Sequence, residues 1–237
     1  GDSVLNLYET STLDKMLILT DFGNYLYMRV NDIAELKWKD MGKHISNIVT
    51  VNPDEKVVSS FIVSNSTKNE NLITVTKEGM VKKTRLELYN VTRFNKEICG
   101  IKLKESDAVV SAFIDTKEML IVSKNGYTVR FKTDEIPASG VKTGGVKGIN
   151  LKDDEVIGST PIKEGSEYIC IFTDNKTAKR IKLADLEMTG RAKRGTAIIK
   201  KVKSTVYNLK NAHLCDSKTI FTLKYLDSSI AFSNFST

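Results

Sequence analysis

Short apolar runs bounded by turn residues recur along the whole chain, and apolar residues at helical spacing are hard to find. The runs are four or five residues long and rich in β-branched and aromatic residues, which favours β-strands. Four of them lead into a tight turn, and three of those turns contain Gly, which adopts positive φ at little cost. The pattern therefore predicts β-hairpins whose first strands lie at residues 16–19, 72–75, 119–122, 168–172 and 219–223.

The turns recur at a nearly constant spacing. Gly23 and Gly79 are 56 residues apart, Gly79 and Gly126 are 47 apart, and Gly126 and Lys176 are 50 apart. A weaker fifth copy would turn near Asp227. A period of about 50 residues is typical of propeller-like arrays, because one small sheet cannot bury both of its faces alone. The spacing thus predicts an all-β, propeller-like array of repeated blades.

Each repeat has a second half with its own pattern. A Gly-containing loop comes about 19 residues after the turn, at Gly42, Gly145, Gly195 and, slightly later, Gly100. A strand, an acidic turn and another strand follow, at residues 48–58, 101–110 and 149–157. Residues 1–5 match the end of this unit, so we expect a piece of a longer protein with an incomplete first blade. No linker rich in Pro, Gly or Ser divides the sequence, which predicts a single domain over residues 1–237.

The positive charge is concentrated in one stretch. The formal net charge is +7 and the sequence pI is about 9.1. Residues 176–203 hold ten Lys or Arg against two acidic residues, so this stretch carries +8 and the rest of the chain is near −1. A local excess of this size points to a polyanionic partner.

Basic residues also recur at fixed places within the repeat. Six residues after the turn residue stand Arg29, Arg85, Lys132 and Lys182, and four residues after it stand Tyr27, Lys83, Arg130 and Arg180. Side chains two apart on a strand point to the same face, so the pattern predicts an exposed basic face on each blade. The alternative is an ordinary solvated strand face, on which Lys is common. The fifth repeat has Ala231 and Ser233 at these places and does not follow the pattern.

The Gly-containing loops supply a second set of cations. Two loops, VKTGGVKG at 141–148 and RAKRG at 191–195, are the strongest, and weaker ones contain Lys37, Lys39 and Lys43, then Arg93 and Lys96. Small residues let backbone N–H groups approach a phosphate, and flanking cations neutralise it. A stripe of such bases across blades suits a long, uniform polyanion that bends along it. The two sets, together with Lys179, predict contacts to the phosphates of a bent duplex at Arg29, Lys43, Lys83, Arg85, Arg130, Lys132, Lys142, Lys147, Lys179, Arg180, Lys182, Arg191, Lys193 and Arg194.

Catalytic and metal-binding patterns are missing from the sequence. It has no GxxxxGK[ST], GxSxG or HExxH motif and no metal-spaced Cys/His cluster. His44 follows Gly and Lys in a loop, which favours a surface or phosphate-contacting role over a general base, and His213 and Cys215 are neighbours only in sequence. Trp38 is expected in the core or at a blade junction rather than stacked on a partner. The acidic turns lack the DxDxDG pattern, which favours solvated turns over calcium sites.

The cysteines and the hydropathy indicate the compartment. Cys99, Cys170 and Cys215 are far apart, which is typical of reduced thiols in a cytosolic protein. No apolar run approaches the roughly 20 residues that span a bilayer, and no signal peptide is recognisable. We therefore expect a cytoplasmic protein.

Five short motifs follow one another along the chain: LTDFGNYLY at 19–27, WKDMG at 38–42, TKEGMVKKT at 76–84, GGVKGINL at 144–151 and RAKRG at 191–195. In this order they resemble the C-terminal domain of bacterial type IIA DNA topoisomerase A subunits. The resemblance covers almost the whole chain. It is closer to the topoisomerase IV A subunit of Gram-positive bacteria than to the DNA gyrase A subunit.

The resemblance implies a β-pinwheel, a propeller-like disc of about five four-stranded blades that exchange strands and bind and bend duplex DNA on a basic rim. The domain would present a transported DNA segment to a catalytic core for decatenation and relaxation. The active-site tyrosine, the metal-binding carboxylates and the use of ATP and Mg²⁺ would lie elsewhere in the holoenzyme, so no catalytic residue, metal or cofactor is expected here. The implied partners are duplex DNA, the rest of the A subunit, and the B subunit. The isolated domain would be a monomer that associates with the nucleoid and not with a membrane.

Three alternatives remain open at this point. The gyrase A subunit carries a Q-[RK]-R-G-G-[RK]-G box, and the nearest stretch here, KTGGVKG at 142–148, lacks the Gln and Arg that lead it. That difference favours topoisomerase IV, while an upstream blade could still hold such a box. A propeller for protein binding would need aromatic anchors on a disc face. A propeller enzyme would need converging Asp, Glu or His, and the repeats show no such set.

Overall fold

The all-β prediction is confirmed. A computed structural model describes residues 4, 6–92, 94, 96–200, 207–225 and 228–232, with side chains as far as residue 221. In these ranges it contains seventeen β-strands and five 3-10 turns, the latter at Val30–Asp32, Ile45–Asn47, Leu86–Tyr89, Thr133–Glu135 and Leu183–Asp185. The chain forms two compact units, Gly1–Asp115 with Ile136–Val146 and Thr116–Glu135 with Lys147–Thr237. The single domain that the repeats predict stays a prediction.

The first unit contains two antiparallel blades. The strands of blade 1, in sheet order, are β3 (Val57–Val63), β1 (Lys15–Thr20), β2 (Asn24–Arg29) and β6 (Ile98–Cys99). Those of blade 2 are β7 (Val109–Ile114), β4 (Asn71–Thr76), β5 (Met80–Arg85) and β10 (Val146–Lys147), which begins with the last residue of this unit.

The second unit contains two further blades and a hairpin. The strands of blade 3, in sheet order, are β11 (Val156–Ile162), β8 (Glu118–Ser123), β9 (Tyr127–Lys132) and β14 (Thr196–Ala197). Blade 4 has three described strands, β15 (Leu209–Cys215), β12 (Tyr168–Thr173) and β13 (Ala178–Lys182). The fifth repeat forms the antiparallel pair β16 (Phe221–Tyr225) and β17 (Ser228–Phe232), and its predicted turn at Asp227 lies outside the described residues, as does most of 1–5.

Neighbouring repeats exchange strands. We call the second strand of each hairpin its outer strand. We call the segment that begins after the next 3-10 turn an arm; the arms are residues 33–47, 90–99, 136–146 and 186–197, and the last three end in a short strand. β6 ends the second arm and pairs with β2 of blade 1, and β14 ends the fourth arm and pairs with β9 of blade 3. Each of these two arms therefore completes the sheet of the blade before it.

The prediction that strands begin at residues 48, 101 and 149 is wrong. Those segments are irregular, and regular strand begins only at Val57, Val109 and Val156. Ile101 and Ile149 are nevertheless buried, with 3% and 1% of their surface exposed. An apolar pattern of this kind comes from loop residues that pack into the core, and it does not require a strand.

Apolar residues of successive blades form the core of each unit. In the first unit Leu17 and Tyr27 of blade 1 share a cluster with Leu72 of blade 2 and with Tyr89. In the second unit Leu120 of blade 3 lies in one cluster with Ile169 and Leu183 of blade 4. Burial of these side chains stabilises neighbouring blades together, as the repeat period predicts.

Candidate nucleic-acid interface

The bases six residues after each turn are exposed at one end of the outer strands. The hairpin registers place Arg29 opposite Lys15, Lys132 opposite Glu118 and Lys182 opposite Tyr168, so each lies at the end of its hairpin away from the turn. Arg85 has the same place in blade 2 and lies 3.1 Å from Glu87 in an exposed ion pair. We call Arg29, Arg85, Lys132 and Lys182 the outer bases, and all four are exposed.

The side chains four residues after each turn are buried or partly buried. The expectation that they share an exposed face with the outer bases is therefore wrong. Tyr27 is 2% exposed and Lys83 is 7% exposed. Arg130 and Arg180 are partly buried. We call Lys83, Arg130 and Arg180 the inner bases.

The arms explain the difference between inner and outer bases. The third arm runs beside Lys83, where Ser139 donates its N–H to the Lys83 carbonyl at 2.8 Å. The fourth arm runs beside Arg130 in the same way, with Thr189 N–H donating to the Arg130 carbonyl at 2.9 Å. Because the arms come from the following repeats, the pattern within one strand gives no sign of this cover.

Lys83 forms a structural ion pair. Its Nζ lies 3.5 Å from Asp115 Oδ2, with side chains 9% and 17% exposed. A cation in this setting stabilises a buried carboxylate, and its removal would leave Asp115 buried without that partner. The prediction of a DNA contact at Lys83 therefore does not fit its placement.

Arg130 holds two elements of the second unit together. Its Nε and Nη2 donate to Glu118 Oε2 at 3.0 and 2.7 Å, and its Nη1 donates to the carbonyls of Leu183 and Leu186 at 2.9 and 3.2 Å. The guanidinium thus joins blade 3 to the 3-10 turn after β13. Arg180, the inner base of blade 4, lies over the ring of Tyr168 at 4.5 Å.

The loop glycines serve backbone packing. Gly145 and Gly195 have φ of +76° and +83°, and a Cβ on either would clash with a carbonyl oxygen of the outer strand beneath, that of Val81 or of Thr128. A Cβ on Gly100 would lie 3.1 Å from the Gly23 carbonyl oxygen. The expectation that these glycines admit a phosphate is therefore replaced by a role in seating the arms on the outer strands.

Most of the predicted arm bases are exposed. They are Lys43, Lys142, Lys193 and Arg194, together with Lys147, which directly follows the third arm. Arg191 is the exception, because its Nε donates to the Glu135 carbonyl at 3.1 Å and its Nη1 to the Lys147 carbonyl at 2.7 Å. Lys179 is exposed and also donates to the Ile198 carbonyl at 3.2 Å. Of the weaker bases, Lys96 is exposed and Arg93 lies outside the described residues.

The first arm differs from the others. Where the other arms end in a short strand, it has the 3-10 turn Ile45–Asn47, and a Cβ on Gly42 would have nothing within 4 Å among the described residues. Trp38 is 89% exposed and Met41 is 91% exposed. The expectation that Trp38 lies in the core or at a junction is therefore wrong within the described residues.

The acidic turns cap the hairpins from behind. Asp107 Oδ1 accepts the N–H of Glu78 at 2.8 Å in blade 2, and Asp154 Oδ1 accepts that of Asn125 at 3.0 Å in blade 3. In blade 4 the direction is reversed: Asp174 of the hairpin turn itself accepts the N–H of Asn208 at 3.0 Å, and its pKa is lowered chiefly by this hydrogen bond. These three hairpins therefore have carboxylates at the turn end and an exposed cation at the other end.

One buried cation was missed by the sequence analysis. Lys82 is 1% exposed, and its Nζ donates to the carbonyls of Gly100 and Val141, which lie at the end of the second arm and within the third. Burial lowers the pKa of Lys82 to about 8. Lys82 and Lys83 are adjacent and both are buried, and nothing in the sequence distinguishes them from exposed lysines.

The His and Cys side chains have ordinary structural surroundings. His44 is exposed and caps the 3-10 turn by accepting the N–H of Ser46 at 3.3 Å. His213 lies beside the rings of Phe172 and Phe221, where desolvation lowers its pKa. Burial raises the pKa of Cys215, the opposite of what an activated nucleophile needs. Among the described residues no group of three or more His, Cys, Asp or Glu could hold a metal ion.

The repeats match a known family in register with the blades. The family described as "DNA gyrase C-terminal domain, beta-propeller" matches residues 14–64, 70–114, 117–163 and 167–211, one segment for each of the four blades. The chain belongs to this family. The resemblance seen in the five sequence motifs is thereby confirmed.

Curated relatives are topoisomerase A subunits. The chain is 34% identical over 216 residues to the A subunit of DNA topoisomerase 4 from Bacillus subtilis (strain 168), covering 90% of this chain and 27% of that protein. The corresponding Staphylococcus aureus protein is 32% identical over 216 residues, with the same coverage. The chain thus spans about a quarter of the length of the curated relatives it matches.

Solved structures agree with this family. A crystal structure of the C-terminal domain of DNA topoisomerase IV matches with a TM-score of 0.88 and 33% identity, covering 94% of this chain and 70% of that one. The DNA gyrase A C-terminal domain matches with a TM-score of 0.73 and 19% identity, covering 98% and 79%, which supports the fold alone. In the part of the chain that is described, no helix is long and apolar enough to cross a membrane.

Proposed function

We propose that this chain is the DNA-binding and DNA-bending domain of a topoisomerase IV A subunit, with no catalytic role of its own. It binds duplex DNA through the outer bases and the exposed arm bases. It presents the transported DNA segment to the catalytic core for decatenation and relaxation.

The observation that carries this proposal is the exposed cation at the same end of four successive outer strands. Exposed arm bases add to it, while carboxylates hold the turn end of the hairpins. A phosphate backbone is attracted to exposed cations, and these cations recur at one place in each blade. Contacts of this kind are made to phosphate, and the binding is then tolerant of sequence and sensitive to salt.

The rest of the activity belongs to other parts of the enzyme under this proposal. The cleaving tyrosine, the metal-binding carboxylates and the use of ATP and Mg²⁺ lie in other domains. The remainder of the A subunit, together with the B subunit, supplies the protein partners. The isolated domain is a monomer, and the enzyme acts in the cytoplasm at the nucleoid.

Affinity for a random duplex of about 40 base pairs, measured across a salt series, tests the DNA-binding proposal. We expect a slope of log affinity against log salt near −4 to −8, because several phosphates are neutralised together. A duplex with a fluorescent dye at each end reports bending as a rise in energy transfer when the protein binds. A wild-type protein that fails to bind the duplex at about 50 mM salt, where phosphate contacts are strong, would contradict the proposal.

An activity assay of the intact enzyme distinguishes a topoisomerase IV subunit from a gyrase subunit. Decatenation and relaxation without the introduction of negative supercoils are expected, since KTGGVKG at 142–148 lacks the Gln and Arg lead of the gyrase box. Introduction of negative supercoils into relaxed plasmid would favour gyrase instead.

A further inference from the structure

The described arginines use their guanidinium groups in different ways. Arg130 and Arg191 donate to backbone carbonyls, and Arg85 faces Glu87. Arg29 and Arg194 are exposed and, within the part of the chain that the structure describes, form no hydrogen bond or ion pair through their side chains. Their N–H groups are therefore available to a ligand.

Both of these guanidinium groups lie over aromatic rings. The Arg29 guanidinium carbon is 4.7 Å from the centroid of the Phe94 ring, and that of Arg194 is 4.3 Å from the centroid of the Tyr127 ring. The ring of Phe94 is itself stacked on Tyr27, with centroids 6.0 Å apart, while Tyr127 is fixed within strand β9. Both rings are therefore held in place by the fold beneath their arginines.

The two stacks lie at different places along their outer strands. Arg29 is on the outer strand of blade 1, and its ring is on the second arm. Arg194 is on the fourth arm, and its ring is on the outer strand of blade 3. In each stack one partner is on an arm and the other is on the outer strand of the preceding blade. Arg29 lies at the end of its strand away from the hairpin turn, opposite Lys15, whereas Tyr127 directly follows the turn residue Gly126.

Blade 2 has a different junction. Its outer base, Arg85, forms an exposed ion pair with Glu87, and the third arm carries the exposed Lys142 where the fourth arm has Lys193 and Arg194 close to its glycine. Val141 packs against the apolar cluster of the first unit that also includes Phe94. Stacked arginines between arm and strand are thus a feature of the junctions of blades 1 and 3.

Stacking changes what an arginine can do for a phosphate. A ring under the guanidinium plane restricts the rotamers of the side chain while its N–H edge stays open for two parallel hydrogen bonds. A side chain held in this way loses less conformational freedom when a phosphate binds, and the charge-assisted fork is stronger than a single ammonium contact.

We propose that Phe94 and Tyr127 are positioning residues that make Arg29 and Arg194 the strongest phosphate contacts of their blades. DNA affinity is then concentrated at the arm–strand junctions of blades 1 and 3 and is not spread evenly over the exposed bases. This inference rests on the proposed function, since it concerns the same DNA-binding surface.

Substitutions that keep the charge test the stack. Arg29→Lys retains one positive charge, and we expect it to weaken binding of the 40-base-pair duplex about 3- to 10-fold with the salt slope unchanged. In a Phe94→Leu background the same Arg29→Lys change should cost less than about twofold, because the ring that favours arginine is gone. Arg194→Lys, with and without Tyr127→Leu, repeats the cycle in blade 3.

Matched variants guard against a purely structural explanation. Phe94→Tyr and Tyr127→Phe keep a ring and should retain wild-type affinity, even if the Leu variants fold poorly. Phe22→Leu removes an exposed ring from the hairpin turn of blade 1, at the other end of the hairpin from Arg29, and should leave affinity unchanged.

The outcomes separate this inference from the proposed function. Wild-type protein that binds with a steep salt slope, together with Arg29→Lys and Arg194→Lys variants of equal affinity, would overturn the inference and leave the DNA-binding proposal standing. A wild-type protein that does not bind duplex DNA would overturn both. An equal cost of Arg29→Lys with and without the Phe94 ring would show that the ring does not position the arginine, and would also overturn the inference.

Discussion

The inner and outer bases are two residues apart on the same strands, yet they have different roles. Arg130 uses its guanidinium on Glu118 and two carbonyls, while Lys132 is exposed at the strand end. In blade 2 Lys83 is buried against Asp115, and Arg85 is exposed. Of two bases on one strand, the inner one therefore stabilises the fold and the outer one is exposed to solvent. In blades 2 and 3 the arm of the following repeat bonds to the backbone of the inner base, through Ser139 at Lys83 and through Thr189 at Arg130.

The largest expected effect comes from replacing Gly195, where the fourth arm packs against the outer strand of blade 3. Gly195→Val would place a side chain against the Thr128 carbonyl at a φ of +83°, and we expect the free energy of unfolding to fall by at least about 3 kcal/mol. Hydrogen exchange at the Thr189 amide, which donates to the Arg130 carbonyl, should become faster as the arm lifts. Arg130 would then lose its cover, and the distinction between inner and outer bases would disappear in blade 3.

The first arm provides the control for this change. Gly42→Val introduces the same side chain where nothing lies within 4 Å among the described residues, so we expect a change within about 0.5 kcal/mol. Equal destabilisation by the two substitutions, measured by chemical denaturation, would show that Gly195 is not needed to seat the arm.

The next effect compares the two bases of one strand directly. Arg130→Met leaves Glu118 and the carbonyls of Leu183 and Leu186 without their donor, and we expect a loss of about 2–4 kcal/mol of stability. Lys132→Met removes one exposed charge and should change stability by less than about 0.5 kcal/mol. Denaturant midpoints of the two variants decide the matter, and similar losses would contradict the assignment of separate roles.

The hairpins and their period could be predicted because their causes are local. Apolar runs of strand length and turns such as Thr20–Gly23 mark each hairpin within a few residues, and the period repeats the signal. The short strands β6 and β14 left no pattern, because two residues show no alternation and their partners are in other repeats.

The candidate site was predictable only in part for the same reason. Counting from the turn located all four outer bases correctly at the surface. It could not separate Lys83 and Arg130 from them, since the cover comes from Ser139 and Thr189, more than 50 residues further along the chain. It also gave the loop glycines a ligand-binding role, because a Gly required by backbone packing and a Gly required by a phosphate look alike in sequence.

Neutralising outer bases should weaken DNA binding and spare the fold. We expect the triple substitution Arg29→Gln, Lys132→Gln and Lys182→Gln to lower duplex affinity about 10- to 100-fold and to make the salt slope shallower by about 2 to 3. The change in stability should stay below about 1 kcal/mol, because the three side chains are exposed.

A triple variant of equal charge loss is the control for that experiment. Lys56→Gln, Lys104→Gln and Lys152→Gln remove three exposed lysines near the acidic turns, away from the outer bases. A simple effect of net charge would lower the affinity of both triple variants alike, and that result would contradict an interface at the outer bases.

The smallest effect concerns Lys82, which is enclosed more completely than any inner base. The pKa of Lys82 in the folded protein is about 8, below the ordinary 10.5. The unfolded chain therefore binds the proton more tightly than the folded protein does. As the pH rises above about 8, the folded protein loses this proton first, and the free energy of unfolding increases. The free energy of unfolding of the wild type minus that of Lys82→Met should therefore rise by about 1 kcal/mol between pH 7 and pH 9. Groups whose pKa burial raises, such as Tyr27, Tyr89 and Cys170, are present in both proteins and cancel in this difference. The exposed Lys56→Met control should show no such rise, and a flat difference for Lys82→Met would mean that the buried ammonium keeps its proton through hydrogen bonds to the Gly100 and Val141 carbonyls.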